Sequence, residues 1–84
     1  MGDLDEEDMF LLRRVIVGLQ VDLRSDLFIR HLARRRVADA RVIVQVVAQR
    51  HADQIVPGSV WALAIAHVDD LCAELERLIR ATLA

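Results

Sequence analysis

The sequence predicts an all-α protein: one compact antiparallel bundle of four to six helices spanning residues 1–84. Three observations point there. Apolar residues recur at spacings of three and four in four separate segments, residues that cap helices stand ahead of several of them, and Pro57-Gly58 is the one strong turn signal. At 84 residues the chain has room for one core and little more.

The first helix is expected from Asp5 to Leu23. Met9, Leu12, Ile16, Leu19 and Leu23 share a face, and acidic residues crowd the N-terminus, where the helix dipole favours them. Gly18 permits a bend, and the alternation in Leu19-Gln20-Val21-Asp22-Leu23 also allows the helix to stop there in favour of a strand. Ser25 suits the N-cap of a second helix, Asp26 to Arg36, with Phe28, Ile29, Leu32 and Ala33 facing inward. After a short turn at Val37-Ala38-Asp39, Asp39 caps a third helix from Ala40 to Ala52. Its β-branched run favours a strand by propensity. The polar stripe Arg41, Gln45, Gln49 has helical spacing and decides for helix. Ser59 caps a last stretch to Leu83, striped by Trp61, Ala64, Val68, Leu71, Leu75 and Leu78 and widened by Ile65, Cys72 and Ile79. A bend or split is expected at His67-Val68-Asp69, and Glu76 and Arg80 are placed to pair. The expected core joins Met9, Leu12, Ile16, Leu19, Leu27, Leu32, Ile43, Val47, Trp61, Val68, Leu71, Leu75 and Leu78.

Charge is sorted along the chain. Residues 1–12 hold five acidic residues and no basic one. Residues 13–50 set nine arginines against three aspartates, and residues 51–84 set five acids against two arginines. The net charge of −2 hides this segregation. Such a domain attracts other copies, or relatives of the same layout, by opposite faces. Arg30, Arg34, Arg35, Arg36 and Arg41 are the expected basic pole, and Asp5, Glu6, Glu7 and Asp8 the acidic one. A head-to-tail contact between them is heterologous and builds rings or open filaments.

Enzymatic chemistry finds little support in the sequence, and no catalytic, metal or cofactor site is assigned. Cys72 and His67 do not share a helix face, and Cys72 falls on the apolar stripe as a small buried hydrophobe. Ser25 and Ser59 read as caps. Asp69, Asp70 and Glu74 read as a solvated helix back, and His31, His51 and His67 lack metal-ligand spacing. The single cysteine implies no disulfide, no apolar run approaches a membrane span, and the acidic start is unlike a presequence. The expectation is a cytoplasmic protein. The alternative function is a helix-turn-helix DNA reader, with Arg41, Gln45, Gln49 and Arg50 toward the major groove. The overall acidity and a turn without glycine count against it.

The stretch from Leu27 to Ile43 resembles helices two and three of a caspase-recruitment domain of the death fold, with Leu27, Leu32, Val37, Asp39 and Ile43 in the matching places. The helix interrupted at Gly18 is similar to that family's bent first helix. Residues 59–83 depart from the family, showing one stripe where three short helices are expected. The resemblance implies homotypic assembly or recruitment of an effector and, in a bacterial setting, a part in immunity, antiphage defence or cell death.

Overall fold

A computed structural model describes residues 2–24 and 30–81, with side chains described for 5–24 and 31–81. Three long helices fill this span: α1 (Gly2–Arg24), α2 (Arg30–Arg50) and α3 (Val60–Ala81), with one 3-10 turn at Ala52–Gln54. The bundle is all-α, but it has three α-helices among the described residues, not four to six.

The largest departure is in α2. The turn expected at Val37-Ala38-Asp39 does not exist, and the second and third expected helices are one. Continuing the helix puts Ala33, Val37, Ala40, Val44 and Val47 on a single inward stripe, and all but half-buried Val44 are fully buried. Breaking it at residue 37 would take Val37 and Ala40 out of the core. With that turn gone, the helix-turn-helix placed there is gone as well. The expected polar stripe holds, since Arg41, Gln45 and Gln49 are all exposed. Ser25, Asp26, Leu27, Phe28 and Ile29 lie outside the described residues, so the cap and the apolar face assigned to them do too.

α1 runs through Gly18 to Arg24, which removes the strand reading of residues 19–23. α3 likewise runs unbroken through His67-Val68-Asp69. Its start is built as the sequence suggests. Gly58 takes a φ of 83°, and the Val56 carbonyl accepts a hydrogen bond from the Ser59 N–H across Pro57-Gly58 at 3.0 Å. Pro at the second position and Gly at the third suit such a turn. Ser59 Oγ then accepts from the Ala62 N–H at 3.1 Å, satisfying a donor that the first turn of α3 would leave orphaned.

Side-chain pairs fix the directions. Asp8 near the start of α1 meets Arg50 and His51 at the end of α2, whereas Asp22 near the end of α1 meets Arg36 near the start of α2. His51 stacks on Trp61 at the start of α3. α1 and α3 therefore run parallel, with α2 antiparallel to both, in a rod of 46 × 21 × 17 Å.

The core has two clusters. Leu19, Ala33, Val37, Ala40, Val68, Leu71, Cys72, Leu75 and Ile79 form the larger, and Leu12, Val47 and Trp61 the smaller. Val44 packs against both. Leu32 and Leu78, both expected inside, are 44% and 40% exposed. In α3 the most buried line runs through Val68, Cys72, Leu75 and Ile79, one position round the helix from the Leu71–Leu78 line. Cys72 is an unpaired thiol inside this cluster, and burial pushes its pKa above the ordinary value, so it stays a neutral apolar filler. Among the described residues no helix is long and apolar enough to cross a membrane.

Candidate interaction surface

The acidic end is built on the first turns of α1. Glu6 and Glu7 are exposed, and Asp5 is half-buried. Asp8 departs from its assignment to the exposed pole. Helical period places residue 8 on the inward face with Leu12 and Leu19, and Asp8 is 2% exposed. There it is fully engaged: Oδ2 lies 2.8 Å from His51 Nε2, and the Arg50 guanidinium donates to Oδ1 at 3.0 Å.

His51, also 2% exposed, has its other ring nitrogen, Nδ1, 3.3 Å from Asp5 Oδ1. Its ring stacks on Trp61 with centroids 4.1 Å apart and planes 15° from parallel. With a carboxylate of α1 at each ring nitrogen and Trp61 against its face, His51 clamps the ends of α1 and α2 to the start of α3. No group of three or more His, Cys, Asp or Glu among the described residues is arranged to hold a metal ion.

The basic end lies at the other extreme of the rod. It gathers Arg24 from the end of α1, Arg34, Arg35 and Arg36 from the start of α2, and Arg77 and Arg80 from the end of α3, all exposed. Sixteen residues of α2 separate Arg34 from Arg50 beside Asp8, a rise of about 24 Å. The two poles read from the sequence are thus on opposite ends, but their members are not equally available. Arg36 Nε is 3.3 Å from Asp22 Oδ2, a buried oxygen with no hydrogen-bond partner. Arg41 bonds Glu76 across α2 and α3, so Glu76 is engaged there and not with Arg80 within its own helix. That bond holds the Arg41 guanidinium above its ordinary pKa. The Arg30 side chain lies outside the described residues.

Arg34 and Arg35 are exposed and form no ion pair with any described residue. Arg34 and Arg80 rim a shallow 340 Å³ groove between α2 and α3, floored by Val37, Ala38 and Ile79. The sequence places Arg80 in a pair with Glu76 and not in the basic pole. Its signal was its position at the C-terminal end of α3, which antiparallel packing brings to the start of α2.

Comparison with protein-family models, curated proteins and solved structures gives no match for this chain.

Proposed function

We propose that the protein is a non-enzymatic interaction module that assembles homotypically, docking its acidic end on the basic end of a like domain. The observation that carries this is the placement of uncommitted charge: Glu6 and Glu7 at one end of the rod, Arg34, Arg35 and Arg80 at the other. Local pairs with Asp22 and Glu76 hold Arg36 and Arg41, so Arg34, Arg35 and Arg80 form the receptive part of the basic end. The apolar floor of the α2–α3 groove would add burial to the charge contact. Homotypic recruitment of an effector, as the caspase-recruitment resemblance implies for bacterial immunity or cell death, is the role such a contact would serve.

Sedimentation velocity across a salt series tests this. Assemblies larger than a dimer are expected at low ionic strength and are expected to shrink as salt rises, because exposed charges are screened beyond roughly 8–10 Å at physiological ionic strength. Sedimentation independent of salt would remove the reading. Capture of duplex DNA at low salt in place of self-association would replace it with a nucleic-acid contact, recognisable by a log–log salt slope of about −0.9 per phosphate.

A further inference from the structure

The outward face of α1 is not explained by either end of the rod. It exposes Phe10, Val17 and Val21 at 61%, 58% and 60%, three large apolar side chains directed away from the core. They belong to a longer exposed line, Glu7, Phe10, Arg14, Val17, Val21 and Arg24, in which every step is three or four residues. That alternation is the heptad seam along which two helices wrap.

We infer that a second copy of this chain packs along this line, antiparallel, about a twofold axis. The residues are arranged for that occupant. Turning one copy end for end about a point between Val15 and Ile16 sets Glu7 against Arg24 of the second copy and Phe10 against its Val21. Arg14 then faces its Val17, and twofold symmetry repeats each pairing. Opposite charges close both ends of the seam, apolar pairs lie inside them, and the Arg14 stem covers Val17 while its guanidinium reaches water. A parallel pair would instead set Glu7 against Glu7 and Arg24 against Arg24, with like helix dipoles side by side. The seam spans about 26 Å of helix. It shares Glu7 and Arg24 with the two ends of the rod but leaves Glu6, Arg34, Arg35 and Arg80 outside the seam, so the two contacts can coexist through those residues, the twofold pairs becoming units of a longer assembly.

Salt separates the two contacts. At about 0.5 M salt, where charged ends are screened to a few Å, the protein is expected to sediment as a dimer, because an apolar seam survives screening. The double variant Phe10→Ser, Val21→Ser replaces only exposed side chains. It is expected to keep the parent's helical circular dichroism and to sediment as a monomer under the same conditions, its dimer dissociation constant raised at least tenfold. A parent that is monomeric at high salt, or a variant that stays as dimeric as the parent, overturns the seam. So does a dimer broken by Val42→Ser, Val46→Ser on the exposed side of α2 and not by the α1 changes. Failure of the end-to-end reading looks different: the low-salt species would then never exceed the dimer.

Discussion

Replacing Asp8 with alanine is expected to cost roughly 1–3 kcal/mol, measured as a lowered midpoint in urea unfolding. The cost arises because truncation leaves the buried His51 Nε2 without its partner and takes an acceptor from the part-buried Arg50 guanidinium, and a buried polar group left unpaired costs its full desolvation. Against the roughly 5–15 kcal/mol that holds a domain together, this is a large fraction. His51→Ala should be destabilising too, and the double variant should lose less than the two single losses together, because both remove the same contact. An Asp8→Ala protein within about 0.5 kcal/mol of the parent would show that the cluster does not clamp the helix ends.

Trp61→Ala should cost about 3–5 kcal/mol by the same measurement. Trp61 packs with Leu12 and Val47, and its ring is the face on which His51 rests. Truncation therefore opens a cavity and loosens the imidazole that binds α1. The His51→Ala change made on top of it should show a reduced effect, which distinguishes coupling through the stack from two independent losses. A loss below about 1 kcal/mol would contradict the burial of this side chain.

Much of the helical layout is legible in the residues. The Ser59 cap and the Pro57-Gly58 turn are strong local signals, and each is found where the sequence puts it, whereas the α3 stripe is present but turned so that Ile79 is buried and Leu78 exposed. The unbroken α2 was hidden by weak ones. Its inward line passes through Ala33 and Ala40, which register poorly as apolar, while Asp39 resembles a helix cap and the arginine run a helix end. Leu32 looks like core for the complementary reason: it is large and apolar, but lies beside the line that Ala33 and Val37 define. Asp8 shows the limit of reading charge by type. Four neighbouring acids suggest one solvated surface, yet helical register sends residue 8 inward with Leu12. Its partners are more than forty positions away, at a separation that no local spacing rule reaches. The segregation of charge is legible from the order of charged residues along the chain. Which arginines remain uncommitted depends on Asp22 and Glu76 meeting Arg36 and Arg41, which only the packing of the three helices decides.

The direct test of assembly through opposite ends is a mixing experiment followed by low-salt sedimentation velocity. One variant carries Arg34→Glu and Arg35→Glu, the other Glu6→Arg and Glu7→Arg; all four side chains are exposed, so both proteins should keep the parent's helical content and unfolding midpoint. Each alone is expected to lose species larger than a dimer. Mixed in equal amounts they should recover larger species, because the reversed basic end of one then meets the reversed acidic end of the other. Variants that each assemble like the parent, or a mixture that recovers nothing although both are folded, would contradict the account.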